Sequence, residues 1–305
     1  MTLLRVVKTL GLAQLQDGGR FGCRHLGVTQ GGALDWVAAG QANRLLGNAP
    51  DACVVEIPWG GFSVRAEQDT TLALCGADLD ATLDGEPVVH NSSFVVRAGQ
   101  QLDCQTPRTG VRGYLAAPDG FKAPHLLGAS ATVSRERLGG LLGDGRSLQV
   151  EDQLVAGSRR PDPAGLNPGD YFDLSAPALL SVLFAAEYAR FSGHSLFAVA
   201  NHSWSVDNRA DRMGVRLTGP GLVYQGPGLV STAIPLGSIQ VPADGQPIIL
   251  LQDRQTIGGY PRIGALTPLA VARLAQCAPG QAVRLRTIGQ EAARRQTLLW
   301  LQWLQ

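Results

Sequence analysis

Glycine and proline punctuate this chain so often that long regular elements have little room: 38 glycines and 18 prolines fall among 305 residues. The apolar runs between them are short, as at residues 71–74, 94–96 and 248–251. Short apolar or alternating runs bounded by turn formers predict many strands and few helices. The expected fold class is therefore mainly β, with a few short helices. With 45% hydrophobic and 17% charged residues the chain can bury a full core, and its length suits two domains.

The sharpest break in composition is residues 156–170, AGSRRPDPAGLNPGD, which reads as a linker or long surface loop. A boundary near residue 162 gives halves of 1–162 and 163–305. In the first half, strands are expected in residues 53–64, 70–83 and 113–118, with Asp84-Gly85 as a hairpin turn. A helix is expected over 32–46, where Leu34, Val37, Ala38, Ala42 and Leu45 share a face and Gly47-Asn48 ends the run. In the second half, residues 179–186, 195–200, 214–219, 238–242 and 247–253 read as strands. Helices are expected over 267–278, ending at Pro279-Gly280, and in the apolar tail EAARRQTLLWLQWLQ.

Charge and motif content exclude several classes of function. A formal charge of +1, with no basic run longer than a pair such as Arg159-Arg160, gives no field to hold nucleic acid or an anionic membrane. No stretch has the length of a membrane span or the pattern of a signal peptide, so a cytoplasmic location is expected. Five cysteines (Cys23, Cys53, Cys75, Cys104, Cys277) show no C-x-x-C spacing, and the five histidines are scattered, so no metal site is expected. Of 26 basic residues only Lys8 and Lys122 are lysine, and neither stands in the Gly-Lys-Ser/Thr setting of a phosphate-binding loop. Neither is beside Met1 or Met213, as the lysine of a covalent biotin carrier would be, so no covalently bound cofactor is expected. The common nucleophile-elbow and zinc-protease patterns are absent as well.

Polar density does stand out in two segments. Residues 207–216, DNRADRMGVR, carry Asp207, Arg209, Asp211, Arg212 and Arg216 directly before a strand. They read either as a solvated loop, whose exposed ion pairs contribute ~0 to 1 kcal/mol each, or as a site where aspartates aim guanidinium forks at an anion or carbonyl. Residues 239–264 run through Gln240, Asp244-Gly245 and Gln252-Asp253-Arg254-Gln255-Thr256 into Gly258-Gly259-Tyr260. Paired glycines after a buried strand suit either close approach to a ligand or a plain β-turn. Near the amino terminus, Asp17, Gly18, Gly19 and Arg20 precede Gly31-Gly32, where a helix start could offer amides to an anion or simply make a turn.

These segments in order, QDGGRFGCRHLGV (16–28), GGALD (31–35), ANRLLGN (42–48), the Glu56 strand, CGAD (75–78), GYLA (113–116), ADRMGVRLTG (210–219), GSIQVPADGQPIILLQDRQTIGGYP (237–261) and LAQCAPG (274–280), closely resemble one family. It is the KipA family of 5-oxoprolinase subunits, also called the biotin-dependent carboxyltransferase family or allophanate hydrolase subunit 2. The resemblance implies two cyclophilin-like β-barrel halves, 1–162 and 163–305, the second with a carboxy-terminal helix. It also implies a subunit that opens 5-oxoproline to glutamate at the expense of ATP, together with a KipI-like subunit and a LamB/YcsF-like subunit. Two other roles found in the family are transfer of a carboxyl group from carboxybiotin, held on a separate carrier, to urea or a related amide, and non-catalytic binding of a KipI-like kinase inhibitor. The chain departs from the family pattern at Pro118-Asp119, at Ala129 and Ala131, at Ala185-Ala186 and at Pro268-Leu269.

Both reactions need donors aimed at an amide oxygen and a group that manages its N–H. On chemistry and motif position, the candidate catalytic residues are Asp211, Arg212, Arg216, Asp253, Arg254 and Tyr260. The candidate substrate-binding residues are Asp17, Arg20, Gln240 and Gln255.

Overall fold

Alternating burial along short strands builds two separate cores in this computed structural model, which describes residues 1–167 and 171–304. One compact unit comprises Met1–Phe21 and Gly31–Ser175 together with Leu304, the other Gly22–Gln30 and Ala176–Trp303. The chain thus lends the short segment 22–30 to the second unit before returning to the first.

The first unit contains strands β1 (Thr2–Lys8), β2 (Gln14–Gln16), β3 (Val54–Pro58), β4 (Phe62–Ala66), β5 (Thr70–Asp78), β6 (Thr82–Leu83), β7 (Glu86–Pro87), β8 (Ser92–Val96), β9 (Gln101–Cys104), β10 (Thr109–Ala116) and β11 (Gln153–Ala156). They form a six-stranded sheet, β11-β1-β4-β9-β6-β7, and a five-stranded sheet, β2-β3-β10-β5-β8. Leu4, Val6, Phe62, Val64 and Leu102 from one sheet meet Leu15, Ile57, Leu72, Leu74 and Leu115 from the other in a single apolar core. The opposite face of the five-stranded sheet carries helix α1 (Trp36–Leu45), packed through Ala38, Ala39 and Ala42 on Val54, Ala73, Cys75, Tyr114 and Ala116. Asp84 and Gly85, both at positive φ, make the β6–β7 hairpin turn expected of an Asp-Gly pair.

Helix α1 starts later than the apolar pattern suggests. Gly31 and Gly32 sit at φ +67° and +98°, a left-handed conformation that no helix turn accepts, and Asp35 then caps the helix by accepting from Ala38 N at 3.0 Å. The amides ahead of the helix are already used: Gly32 N donates to Gln16 Oε1 and Leu34 N to Glu56 Oε2. Glu56 also accepts from Tyr114 OH at 2.9 Å, and Tyr114 OH accepts from Asp35 N. Burial, with the charges of Glu56 and Asp35 next in order, drives the Tyr114 phenol well above its ordinary pKa. This helix start is a sealed polar joint rather than an anion cradle. The composition break at 156–170 runs against the edge of β8, where Ser93 N donates to Ala164 O and Leu166 N to Asn91 O; residues 168–170 lie outside the described residues.

The second unit contains β12 (Ala178–Phe184), helix α2 (Gly193–Asn201), β13 (Ser203–Val206), β14 (Gly214–Thr218), β15 (Thr232–Ala233), β16 (Ser238–Gln240), β17 (Ile248–Leu250), β18 (Ile257–Gly258), β19 (Arg262–Leu266), helix α3 (Pro268–Leu274), β20 (Ala282–Thr287) and helix α4 (Gln290–Leu304). Seven of the strands close into a barrel in the order β12-β19-β16-β17-β14-β13-β20, while β15 and β18 pair separately. Leu180, Val182, Trp204, Leu217, Ile239, Ile249, Ile263, Val283 and Leu285 are buried, and they alternate with more exposed neighbours on most of these strands.

Residues 195–200, expected as a strand, belong instead to α2. Ser192 caps this helix by accepting from Ser195 N, and its buried residues Ser195, Ala198 and Val199 follow helical spacing. Thr267 caps α3 in the same way, with Pro268 in the first turn where a missing N–H costs nothing. Among the described residues, no helix is long and apolar enough to cross a membrane.

Candidate functional site

The barrel of the second unit turns one patch of its outer face into a cleft. Val215, Ile239 and Ile249 are buried, so the alternation of β14, β16 and β17 sends Gly214, Arg216, Gln240, Ile248 and Leu250 to the other side. Register then sets these residues in rows: Arg216 stands opposite Ile248, which stands opposite Gln240, and Gly214 stands opposite Leu250. The loop before β14 supplies Arg209, Asp211 and Met213, and the segment around β18 supplies Gln255 and Tyr260. Together they line a cleft of about 300 Å³.

Each charged group in the cleft has a defined brace. Arg209 closes a bidentate pair on Asp207 at 2.8 and 2.7 Å. The hydrogen bonds from Arg209 hold the Asp207 carboxyl well below the usual carboxylate range. Arg216 Nη1 donates to Asp244 Oδ2 at 2.5 Å, on the β16–β17 hairpin, while its Nε and Nη2 meet no acceptor among the described residues. Backbone bonding to Gln246, then Arg216, holds Asp244 below its ordinary value. Asp211 Oδ1 accepts from Met213 N at 2.8 Å and Gly214 N at 3.0 Å, which fixes the carboxylate at the cleft wall. Gln240 is only 2% exposed, and its Nε2 is buried with no hydrogen-bond partner among the described residues.

The structure thus brings together Asp211, Arg216, Gln240, Gln255 and Tyr260, and leaves the other candidates outside the cleft lining. Arg212 grips Asp253 through Nε and Nη2, both at 3.0 Å, and Asp253 N returns a bond to Arg212 O. That pair clasps the 207–213 loop to the turn after β17. Arg254 is buried and donates to Ile234 O, Leu251 O and Gln30 Oε1. Arg24 also donates to Ile234 O, and burial followed by this neighbouring charge depresses the Arg254 pKa to about 9. Arg212, Asp253 and Arg254 are therefore engaged in holding neighbouring segments together.

Asp17 and Arg20 belong to the first unit. Arg20 is fully buried and donates to Leu126 O and Ala129 O, a loop anchor. Asp17 borders a recess of about 460 Å³ with Asp51, Asp119 and His125, but its two oxygens accept from Gly19 N and Ser130 N. Asp119 is likewise paired with Arg159 at 2.5 Å. Two of the three recess carboxylates are thus committed to structure, whereas the smaller cleft keeps open donors.

Sequence reasoning passed over Met213, Gly214, Ile248 and Leu250 as lining residues, because only the register of three strands shows that they face outward beside Arg216. Gly258, the first of the paired glycines noted in the sequence, lies where a Cβ would come 3.1 Å from Gln240 Nε2.

Comparison with known proteins places this geometry in context. Residues 26–287 match the family model described as carboxyltransferase domain, subdomain A and B. A Haemophilus influenzae protein named as a 5-oxoprolinase subunit is 35% identical over 296 residues, covering 96% of this chain and 94% of its own. The Escherichia coli protein of the same name is 34% identical, covering 92% of this chain and 90% of its own. The crystal structure of Kluyveromyces lactis urea carboxylase superposes with a TM-score of 0.92 at 22% identity, covering 99% of this chain. This chain spans 29% of that larger protein, and the likeness speaks to the fold.

Proposed function

The chain belongs to the carboxyltransferase domain family of subdomains A and B, and on that premise we propose that it is a subunit of an ATP-dependent 5-oxoprolinase, opening the lactam of 5-oxoproline to glutamate. The observation that carries this reading is the cleft on the barrel, where one carboxylate, two amide side chains, a phenol and a partly open guanidinium converge in about 300 Å³. Such a set matches an amide, which offers an oxygen to be polarised and an N–H to be accepted. Near-full coverage of the two relatives named as 5-oxoprolinase subunits supports the choice of substrate.

In this reading Arg216, Gln240, Gln255 and Tyr260 direct donors toward the substrate oxygens, and removing one donor aimed at a developing oxyanion costs ~3 to 4 kcal/mol of barrier. Asp211, pinned by two backbone amides, accepts the lactam N–H. Water adds to the carbonyl carbon, the C–N bond breaks, and a proton from that water passes to the nitrogen, which leaves as the amine of glutamate. ATP hydrolysis by the assembled complex supplies the driving force. That complex is completed, in the cytoplasm, by a KipI-like and a LamB/YcsF-like subunit.

A second reading, carboxyl transfer from carboxybiotin on a separate carrier to urea or a related amide, is favoured by the family model and by the urea carboxylase fold. Co-expression with the KipI-like and LamB/YcsF-like subunits, followed by an assay for glutamate release from 5-oxoproline, separates the two. ATP-dependent release is expected. A silent assembly that carboxylates urea when given a carboxylated carrier would replace the first reading with the second, and one that co-purifies but does neither would leave a binding role.

A further inference from the structure

We propose that Arg24 is a positioning residue for the barrel cleft: from a segment near the amino terminus it holds the β15–β18 ribbon in place, and through that ribbon the cleft residues Gln255 and Tyr260. This rests on the cleft being the site of reaction, as read above, and adds to it a residue that does not itself line the cleft.

The ribbon needs an outside tie. Strands β15 and β18 stand apart from the barrel and meet over two residue pairs, Thr232 with Gly258 and Ala233 with Ile257. A two-stranded ribbon so short does not keep its shape in water by its own hydrogen bonds. Burial adds little on the strands themselves, since Thr232 and Ala233 are exposed and Ile257 is 61% exposed. Yet Gln255 and Tyr260, on either side of β18, both line the cleft. Groups that act on a substrate must be held closely, because a misplacement of ~1 Å can cost ~100-fold in rate.

Arg24 supplies the tie. Its Nη2 donates to Ile234 O at 3.0 Å, Gln255 O at 3.1 Å and Thr256 O at 3.2 Å. Ile234 follows β15 and Thr256 precedes β18, and Ile234 N donates to Thr256 O at this same point. One nitrogen therefore clamps both strands where they enter and leave the ribbon, and one of its acceptors is the backbone of a cleft residue. Arg254 and Arg262 reach the β15 side, at Ile234 O and Ala233 O, whereas Arg24 reaches both sides.

The segment that carries Arg24 fits this role. Arg24–Leu26 is a single 3-10 turn with no buried residue, closed by Gly27 at φ +80°. Burial of the turn thus does not explain why residues 22–30 group with the second unit; the bonds of Arg24, and that between Gln30 and Arg254, do. The arrangement also carries an electrostatic cost. Arg24 and Arg254 share Ile234 O, and after burial the charge of Arg24 is the second cause that lowers the Arg254 pKa. Like charges kept together against their repulsion mark functional sites more often than plain scaffolding.

The test removes the guanidinium and then returns it. In the full chain, Arg24→Ala should speed amide hydrogen exchange at 231–234 and 255–260 by ~10-fold or more, while β16 and β17, which lie between those segments in sequence, keep wild-type protection. In the enzyme assembled with its partner subunits it should lower kcat for 5-oxoproline by ~10-fold or more. Millimolar guanidinium chloride should return both readouts toward wild type where equal sodium chloride does not, a rescue that a purely structural loss would not show. Because Arg24 acts through Gln255 and Tyr260, the same substitution added to Gln255→Ala/Tyr260→Phe should cost less than ~3-fold more. Wild-type exchange in the ribbon overturns the proposal, as does a rise across the whole barrel that guanidinium fails to reverse. A wild-type kcat beside a loosened ribbon overturns it too. If the wild-type assembly releases no glutamate, the functional reading fails, and local loosening reversed by guanidinium still upholds Arg24 as the brace of the ribbon. Should the alanine variant fail to fold, Arg24→Gln takes its place under the same expectations.

Discussion

Arginines in and around the cleft divide by what holds them, and the division predicts opposite phenotypes. Arg212 and Asp253 are 15% and 10% exposed and grip each other twice, so removing either strands a charge in a poorly hydrated place. Arg212→Ala and Asp253→Ala should each destabilise the protein by about 3 kcal/mol. The double variant should lose little more than either single one, as measured by urea denaturation in a double-mutant cycle. Arg216 pairs with an Asp244 that is 53% exposed, a contact that water and salt screen. Arg216→Ala should therefore leave the denaturation midpoint nearly unchanged while lowering turnover of the assembled enzyme by ~100-fold or more. Asp207 adds a pH dependence. Its folded pKa lies below the unfolded one, so the stability it contributes is complete above the ordinary carboxylate pKa of ~3.9 and is lost as pH falls below it. Between about pH 4.5 and pH 2, wild-type protein should lose more stability than Asp207→Asn, seen as a steeper fall of the urea midpoint; equal slopes would remove Asp207–Arg209 as a brace of the cleft.

At the scale of elements, β18 positions the Gln240 amide. A Cβ on Gly258 would come within 2.7 Å of Ile234 Cδ1 and 3.1 Å of Gln240 Nε2. The isoleucine methyl can rotate away, whereas the amide can move only by leaving its place above the cleft. Gly258→Ala should raise KM for substrate about tenfold with only a small change in melting temperature, and a KM equal to wild type would show that the amide has room to spare. Sequence made the strands legible because their apolar alternation and Asp-Gly turns are local signals, at Asp84-Gly85 and at Asp244-Gly245 alike. Residues 195–200 misled because a run of Leu, Phe, Ala and Val fits either period, and only the Ser192 cap and the spacing of Ser195, Ala198 and Val199 favour a helix. The polar segments were legible as a group, but not which members line the cleft. Asp211 and Arg212 are adjacent in sequence, yet one lines the cleft and the other clasps the turn behind it. That difference arises from the loop's bonds to residues 251 and 253, which no one-dimensional pattern encodes.

For the whole molecule, the proposed dependence on ATP raises the matter of whether this chain could hold the nucleotide. The chain has two lysines, and both are exposed in the first unit: Lys8 at the end of β1, and Lys122 in a loop whose backbone amide donates to Val155 O. Neither is set in a phosphate-binding loop. On the second unit, the cleft is lined by no lysine, and its two arginines are already engaged by Asp207 and Asp244. Arg254 is spent on two backbone carbonyls and Gln30. A triphosphate needs several unpaired cations or a run of free amides converging on one place, and the cleft offers one half-open guanidinium fork with a carboxylate beside it. The isolated chain should therefore neither bind ATP nor hydrolyse it, and it should carry no covalent biotin. Isothermal titration of ATP into the purified chain should give no heat of binding at micromolar concentrations, and mass spectrometry should find the unmodified mass. Micromolar affinity in the isolated chain would defeat the prediction and point to a guanidinium-based nucleotide site. Binding that is absent from the chain alone, yet returns when the KipI-like subunit is added, would assign the nucleotide to the assembled complex and leave this subunit the task of holding the amide.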